Sequence, residues 1–507
     1  MKKKVNELEM NSLQQIIKQD EEFLAKEKAK KKNNKIKNKP ILVVTYSMVA
    51  LFLGMIAYMI YFMQFKSEVV IANSRNVRQN SFEKDVEKGD IITSDRVVVA
   101  TSKTDEFGNS NRYYPYSNMF AHLVGYNKYG KSGLELAGNF YMLRSHINIY
   151  ERVYKSLKEE KNRGDNVITT VNYKLQESAY NALGNCKGAV IAMEPSTGKI
   201  LCMVSKPDFN PNDFDNVWAY LHSDEGASST VLLNRATQGL YAPGSTFKVV
   251  TLLEYIRENP IYKAYEYDCS GNEIFQGVNI HCYDSIAHGH ETLADSLAYS
   301  CNSSFANIGM KLDFGKFNKT AKDLLFNSEL PFDGEYNKSS FEINSKSPKE
   351  EMPQTAIGQG NTKITPLHNL MIASSIANGG VLMKPYLIDS IENDDGAVIK
   401  KFKSKTYGSL IDKNEAEVLT ENMKTVSEYG TAARFFSGAP YLMAGKTGTA
   451  EYDNEGNCNS WYMGFMNPDN PEIAISVVVE DYNTNGVSAT GVAKQVLDTY
   501  YNQVKDQ

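Results

Sequence analysis

One stretch of 25 residues without a charged side chain, residues 41–65, constrains this chain more than any other feature of its sequence. A helix of that length is about 37 Å long, which is enough to cross a hydrocarbon core of about 30 Å with some tilt. Eight lysines lie between Lys26 and Lys39, immediately before the stretch, whereas only Lys66 follows it closely. Because positive charge stays on the cytoplasmic side of a membrane, the pattern predicts a single-pass anchor with residues 1–40 in the cytoplasm and the rest of the chain outside.

The alternative to an anchor is a cleaved signal peptide, for which Val70-Ile71-Ala72 is an acceptable small-residue cleavage site. Two features argue against cleavage. The apolar stretch is about twice as long as the apolar region of a signal peptide, and about 40 residues precede it. We therefore expect an uncleaved helix in the cell membrane.

The charges are distributed unevenly along the chain. Residues 1–40 carry 12 Lys against 6 acidic residues, whereas the remaining 467 residues carry 43 Lys and Arg against 54 Asp and Glu. A protein that binds nucleic acid needs its positive charge on the folded part, so an acidic body behind a basic head argues against that class. Six cysteines in 507 residues are too few for a disulfide-stapled scaffold.

Two regions follow the anchor. Residues 66–165 are polar, with short β-like runs and one charged helical stretch, which predicts a small α+β pedestal domain. Residues 166–507 begin and end with pairs of apolar runs joined by turns, at 189–204 and 461–479, and the sequence between them is mainly helical. This pattern predicts an α+β domain in which an antiparallel sheet, closed by N- and C-terminal segments, packs against a helical insert.

The first motif with chemical content is Ser245-x-x-Lys248, which follows Pro243-Gly244. Pro-Gly before an apolar helical run places Ser245 at the start of a helix, and a spacing of three puts Lys248 on the same face, within reach of the serine hydroxyl. A serine is a weak nucleophile until a base takes its proton, and a neutral amine is such a base. Taken alone, the pattern is more commonly a capping serine and a solvated lysine.

Two further motifs follow in order. Ser300-Cys301-Asn302 ends a second helical stretch, where alone it would be an ordinary polar turn, and Lys446-Thr447-Gly448-Thr449 lies in a strand-like run. A glycine in a strand lets a ligand backbone approach closely. Ala-Gly-Lys-Thr also ends a phosphate-binding loop, but that loop needs a glycine at position 440, where this chain has proline.

Together, Ser-x-x-Lys, Ser-x-Asn and Lys-Thr-Gly resemble the signature of penicillin-binding proteins and serine β-lactamases. The chain is similar to the class B penicillin-binding proteins, the single-anchor peptidoglycan D,D-transpeptidases, from residue 41 to its end and most strongly after residue 166. The segments that carry the resemblance outside the motifs are 188–199, 207–212, 234–245, 355–366 and 430–432, with fainter ones at 113–115, 125–126 and 133–135. The resemblance implies the penicillin-binding transpeptidase fold, an antiparallel sheet flanked by helices with a helical subdomain.

The resemblance also implies a role for each residue of the first two motifs. Ser245 would be the acylated nucleophile and Lys248 its base, with a pKa lowered by burial and by the like charge of Lys446. Ser300 would relay a proton to the leaving D-alanine amine, and Asn302 would donate to the substrate amide.

The third motif would hold the substrate. The resemblance implies that Lys446 and Thr447 bind the substrate carboxylate or polarise Ser300, and that Gly448 and Thr449 complete the substrate and oxyanion subsites. The backbone N–H groups of Ser245 and Thr449 would form the oxyanion hole. No cofactor or metal is expected in the catalytic centre.

The implied reaction joins peptidoglycan stem peptides by acyl transfer and releases D-alanine, and β-lactams would acylate the same serine. The implied partners are stem peptides on glycan made from a lipid-linked precursor, a polytopic membrane glycosyltransferase, and other proteins of the division or elongation machinery.

Three alternatives share the motifs: a scaffold that activates the glycosyltransferase with dispensable catalysis, a D,D-carboxypeptidase, and a β-lactamase. Class A β-lactamases have a Glu-x-x-Leu-Asn segment, but the only Leu-Asn pair here is Leu233-Asn234, with Thr230 in place of the glutamate. The anchor and the pedestal also argue against a β-lactamase.

Cys269, Cys282 and His288 lie close together between the first two motifs, with Asp268 and Asp284 beside them. Three interpretations stay open. The cysteines form a disulfide, or they bind a structural zinc ion with His288 and one aspartate, or they are reduced and pack as small apolar groups.

Overall fold

The protein has two units by its internal contacts, Met1–Asn73 and Ser74–Gln507. The structure is a computed structural model, and it describes residues 2–63, 86–105, 110–158, 160–453 and 456–505.

The described residues of the first unit, 2–63, form the helix α1 (Lys2–Tyr61). Within it, the 23-residue span Lys39–Tyr61 contains a window of 18 residues with a mean hydropathy of 2.2, and none of that window is buried. In the described ranges it is the one helix that is long and apolar enough to cross a membrane, as expected for the anchor. The end of the 41–65 stretch lies outside the described residues.

The second unit combines two larger sheets and four two-stranded pairs in its described residues. The strands, in chain order, are β1 (Val86–Glu87), β2 (Ile91–Ile92), β3 (Val98–Thr104), β4 (Ser110–Tyr113), β5 (Asn162–Arg163), β6 (Asn166–Thr169), β7 (Gly188–Met193), β8 (Ile200–Lys206), β9 (Glu266–Cys269), β10 (Asn272–Phe275), β11 (Val278–His281), β12 (Gly289–Thr292), β13 (Val381–Met383), β14 (Ile388–Glu392), β15 (Val398–Lys401), β16 (Thr406–Ser409), β17 (Met443–Glu451), β18 (Cys458–Met466) and β19 (Ala474–Val479).

The helices of this unit range from a single turn to four turns. In chain order they are α2 (Ala121–Val124), α3 (Gly133–Ala137), α4 (Asn139–Met142), α5 (Ile149–Leu157), α6 (Tyr173–Leu183), α7 (Phe214–Leu221), α8 (Arg235–Gln238), α9 (Lys248–Glu258), α10 (Leu293–Ala298), α11 (Asn302–Lys311), α12 (Phe314–Asp323), α13 (Met352–Ala356), α14 (Pro366–Ala377), α15 (Lys413–Glu428), α16 (Ala433–Phe436), α17 (Tyr482–Asn485) and α18 (Ala489–Thr499).

The six-stranded sheet is mixed and has the order β15-β14-β6-β2-β3-β4. Strand β6 pairs in parallel with β2 and antiparallel with β14. The sheet therefore joins strands from residues 91–169 to a hairpin at 388–401, a long-range pairing that the sequence pattern does not predict.

The five-stranded sheet is antiparallel throughout and has the order β17-β18-β19-β7-β8. Strands β7 and β8 come from the first part of the predicted 166–507 region, and β17 to β19 come from its last part. The expected closure of one sheet by N- and C-terminal segments is confirmed. Every residue of β7, β18 and β19 is buried, so both faces of the sheet are covered.

Helices cover this sheet. Helices α6 and α18 pack against each other and the sheet, and α14, buried from Pro366 to Ile376, packs against β7, β18 and β19. Strand β17 is an edge strand, and the turn that precedes α9 packs against it. This contact brings the first and third motifs together.

Candidate active site

The first motif lies in a tight turn wedged between two other segments. Residues Gly244–Phe247 form one turn of 3-10 helix, and α9 begins at Lys248. Gly244 has a φ of +53°, and a Cβ there would lie 2.5 Å from the Thr449 carbonyl oxygen of β17. Its N–H donates to the Gly358 carbonyl oxygen at 2.9 Å. Only glycine fits this position, because both the backbone conformation and the space exclude a side chain.

Lys248 joins the first motif to the second. Its side chain is fully buried, and Nζ donates to the Ser300 carbonyl oxygen and to Asn302 Oδ1, both at 2.6 Å. The Ser300 hydroxyl lies 3.3 Å from the same nitrogen. A neutral amine has two N–H donors and one lone pair, so two donated bonds leave the lone pair free to accept a proton.

Ser245 lies one 3-10 turn before Lys248, and three residues per turn place the two side chains one above the other. In the described part of the chain, however, no hydrogen bond joins Ser245 to Lys248. Lys248 bonds to the second motif instead, while the half-buried Ser245 side chain stays accessible one turn away.

Burial controls the charge of both lysines. It lowers the pKa of Lys248 to about 8, while Cys301, Cys282 and Glu291 act in the opposite direction. The pKa of Lys446 lies well below its ordinary value, first because the side chain is buried and second because of the positive charge on Lys248. Because Lys446 loses its proton first, Lys248 titrates beside a neutral amine, so burial lowers its pKa and the like charge of Lys446 does not contribute as the sequence led us to expect.

The second motif connects two helices through a strained residue. Ser300 has a φ of +58°, a conformation that is costly for a residue with a Cβ and that clusters at functional sites. Cys301 caps α11, since its Sγ accepts a hydrogen bond from the Ser304 N–H at 3.4 Å. Asn302 Nδ2 donates to the His281 carbonyl oxygen at 2.8 Å, so this amide holds the protein's own backbone as well as Lys248.

The third motif lies on β17, where side chains alternate between the two faces. Lys446 is fully buried, and its Nζ donates to the Thr447 carbonyl oxygen at 3.1 Å. Thr447 is half-buried and Thr449 is exposed. A Cβ at Gly448 would lie 3.1 Å from Cγ2 of Thr246. The glycine thus makes room for the turn that carries Ser245, whereas the sequence suggested close approach by a ligand.

The cysteines form a compact cluster beside the second motif. The Sγ atoms of Cys269 and Cys282 lie 3.7 Å apart, as do those of Cys282 and Cys301, and His288 Nδ1 lies 3.5 Å from Cys269 Sγ. All four ligand atoms lie within 4.8 Å of one another. The six cysteines of the chain are unpaired in this structure.

The expected aspartate ligands are not part of this cluster. Asp268 accepts a hydrogen bond at 3.0 Å from His290 on an exposed hairpin, and the fourth ligand atom belongs to Cys301. Burial raises the pKa of the nearby Glu291 carboxyl. Its side chain is 1% exposed, and its Oε1 lies 3.9 Å from His288 Nδ1.

Sequence reasoning missed two residues of this region. The first is Cys301, the middle residue of the Ser-x-Asn motif. Its position shortly after Cys269 and Cys282 in the sequence could have indicated a third member of the cluster. The Thr431 hydroxyl lies 2.6 Å from that of Thr447, and no local pattern predicts a contact across 16 residues.

Comparison with protein families supports the same interpretation. Residues 188–498 match the penicillin binding protein transpeptidase domain, and residues 88–167 match the penicillin binding protein A dimerisation domain. Peptidoglycan D,D-transpeptidase PbpA of Mycolicibacterium smegmatis is 28% identical over 460 residues, which cover 85% of this chain and 91% of that protein.

Solved structures show the same fold. The D,D-transpeptidase domain of a peptidoglycan glycosyltransferase from Eggerthella lenta superposes with a TM-score of 0.74 at 30% identity, covering 83% of this chain and 100% of that one. Penicillin-binding protein A from M. tuberculosis, as its ceftriaxone acyl-enzyme complex, superposes with a TM-score of 0.74 at 26% identity over 83% of this chain and 99% of that one.

Proposed function

The chain belongs to the penicillin-binding protein transpeptidase family, and on this premise we propose that it is a serine D,D-transpeptidase that cross-links peptidoglycan stem peptides and is acylated by β-lactams. The observation that carries the proposal is the buried Lys248 amine, which lies one turn from Ser245 and donates to two oxygens of the second motif.

The first acyl transfer needs a base and an acid. Neutral Lys248 takes the hydroxyl proton of Ser245 while the Ser245 Oγ attacks the carbonyl carbon of the penultimate D-Ala. The C–N bond then breaks, and the leaving D-Ala amine receives a proton through the Ser300 hydroxyl, 3.3 Å from Lys248 Nζ. Backbone N–H groups of Ser245 and Thr449 hold the oxyanion.

The second acyl transfer completes the cross-link. An amine of a neighbouring stem peptide attacks the Ser245 ester, the C–O bond breaks, and the serine oxygen regains a proton. Asn302 holds the Lys248 amine through its Oδ1 and the backbone at His281 through its Nδ2. The buried Lys446 amine donates to the Thr447 carbonyl oxygen and so supports this strand, and Thr447, Gly448 and Thr449 line the cleft for the substrate carboxylate.

Labelling with a fluorescent penicillin tests the proposal. Full-length protein in detergent should be labelled, Ser245→Ala should abolish the label, and the control Ser223→Ala, an exposed serine outside the site, should keep it. A donor stem peptide with an acceptor amine should yield a cross-linked dimer that mass spectrometry detects. Undiminished labelling of Ser245→Ala would refute the assignment.

The domain division and topology belong to the same proposal. Residues 1–40 form a cytoplasmic head, 41–65 a single-pass anchor, 66–165 the pedestal and 166–507 the transpeptidase domain outside the cell. The lysine-rich head and the matches to two separate domain families support this division.

A polytopic membrane glycosyltransferase and other division or elongation proteins are the proposed partners, since a cross-linking enzyme acts on newly made glycan. A scaffold with dispensable catalysis is the second candidate. Comparing a strain that carries Ser245→Ala with a deletion strain separates the two: equal defects indicate that catalysis is essential.

Beside the catalytic residues, Cys269, Cys282, His288 and Cys301 are proposed to bind one structural zinc ion. Tetrahedral zinc with Zn–S bonds of about 2.3 Å and a Zn–N bond of about 2.0 Å separates its sulfur ligands by about 3.8 Å and sulfur from nitrogen by about 3.5 Å. Three of the six observed separations are 3.7, 3.7 and 3.5 Å, and all six lie within 4.8 Å. A cation there would also stabilise the buried carboxylate of Glu291, whose Oε1 lies 3.9 Å from His288 Nδ1.

Metal analysis of the full-length protein tests the zinc site. One zinc ion per chain is expected, with loss in Cys269→Ser and Cys301→Ser but not in the control Cys186→Ser, a cysteine that the cluster does not include. Cobalt substitution should give the visible absorption of tetrahedral cobalt thiolate. A metal-free protein with reactive thiols at 269, 282 and 301 would contradict the site.

A further inference from the structure

The loop after α15 connects the second and third motifs. The Thr431 N–H donates to the Ala298 carbonyl oxygen at 3.0 Å, at the end of α10 and two residues before Ser300. The Thr431 hydroxyl lies 2.6 Å from the Thr447 hydroxyl on β17. One residue therefore contacts both elements that border the cleft.

The position of this loop is tightly constrained. A Cβ at Gly430 would lie 2.3 Å from the Ala298 carbonyl oxygen, so the backbone approaches α10 as closely as glycine allows. The Tyr429 hydroxyl donates to Asp295 Oδ1 at 3.1 Å, which ties the same loop to α10 a second time. The Thr431 side chain is thus held in place beside Thr447, although it is exposed to solvent.

Two hydroxyls at this distance share one hydrogen bond, in which one donates and the other accepts. Each hydroxyl has a single proton, so when Thr431 donates to Thr447, the proton of Thr447 must point elsewhere. A hydroxyl that accepts one bond is polarised and becomes a stronger donor. Thr447 lies on the same strand face as the exposed Thr449, so its free proton is available to an anion in the cleft.

We propose that Thr431 is a positioning residue that orients the Thr447 hydroxyl toward the carboxylate of the stem peptide and of β-lactams. This inference rests on the proposed transpeptidase function and adds a specificity determinant to it. Thr431 acts through Thr447 and is not itself a catalytic residue.

The experiment compares a substrate with and without the carboxylate. The second-order rate constant of acylation is measured on full-length protein in detergent with benzylpenicillin and with its methyl ester. The variants are Thr431→Val, Thr431→Ser, Thr431→Ala, Thr447→Val and the double valine variant. Thr420→Val is the matched control, because the Thr420 hydroxyl bonds the Ala416 carbonyl oxygen of its own helix at 2.8 Å.

We expect Thr431→Val to slow acylation by the acid about tenfold, equivalent to about 1.4 kcal/mol. Acylation by the ester should change by no more than about twofold, the usual scatter for uncoupled sites. Thr431→Ser keeps the hydroxyl and should acylate at the wild-type rate, and Thr431→Ala should be as slow as Thr431→Val. The double valine variant should be no slower than Thr447→Val alone, because the two substitutions remove the same contact.

Three outcomes would overturn the inference: an equal loss with acid and ester, which indicates a structural role; no loss with either; or a Thr447→Val variant that does not discriminate acid from ester. A wild-type protein that neither compound acylates would instead refute the proposed function.

Discussion

Lys248 should give the acylation reaction its pH dependence. Its pKa of about 8, against an ordinary value of 10.5, results chiefly from burial, and the difference corresponds to about 3 kcal/mol in favour of the neutral amine. Only the neutral form can accept the Ser245 proton. With a pKa near 8, about a tenth of the protein is competent at pH 7 and about nine tenths at pH 9, so the acylation rate should rise about tenfold between them and then level off.

The geometry allows this midpoint to be shifted. Asn302 Oδ1 accepts a hydrogen bond from Lys248 Nζ at 2.6 Å, so Asn302→Asp places a carboxylate beside the amine. An opposite charge at that distance favours the ammonium and typically moves a pKa by 1–3 units. We therefore expect the midpoint of the acylation profile to rise by at least about one pH unit.

Stopped-flow acylation with a chromogenic cephalosporin, from pH 6 to pH 10, measures both profiles. Mass spectrometry of the adduct confirms that Ser245 is the residue modified at each end of the range. A flat wild-type profile, or a midpoint that Asn302→Asp leaves in place, would refute Lys248 as the base.

Three further predictions concern Gly244, Cys269 and the lysine-rich head. Gly244→Ala should lower the melting temperature and nearly abolish acylation, because its Cβ would lie 2.5 Å from the Thr449 carbonyl oxygen; wild-type labelling by penicillin would contradict this. Cys269→Ala should lower the melting temperature and slow acylation without abolishing it, since Cys269 belongs to the cluster next to the second motif. Thermal melting and acylation kinetics on the same preparation measure both effects. A variant with neither effect would show that the cluster is dispensable. In intact protoplasts, external protease should digest the chain after the anchor and spare residues 1–40, as immunoblots against each end would show; cleavage of the head from outside would reverse the topology.

The sequence was sufficient for those parts of the fold that depend on local pattern. The two pairs of apolar runs, at 189–204 and 461–479, predicted the antiparallel sheet. A short turn joins the two runs of each pair, and strands joined by a short turn pair antiparallel. It was not sufficient for pairings across long separations. The hairpin at 388–401 joins β6 through backbone hydrogen bonds, and such bonds leave no periodic signal in the side chains.

The candidate site shows the same division. Ser245 and Lys248 were found because three residues make one turn, a local relation. The contacts of Lys248 with Ser300 and Asn302 depend on how the helices pack, so no local pattern in the sequence predicts them. Thr431 lies in a loop whose position is set by the end of α10, and its role is invisible until that packing is known.

Cys301 connects the metal question to the catalytic one. Its two neighbours along the chain supply the oxygens that Lys248 binds, the Ser300 carbonyl oxygen and Asn302 Oδ1. The Cys301 sulfur, in turn, lies 3.7 Å from Cys282. A change that moves this sulfur is therefore expected to move the two acceptors of Lys248 as well. The cysteine cluster and the proposed proton transfer depend on the same segment of the chain.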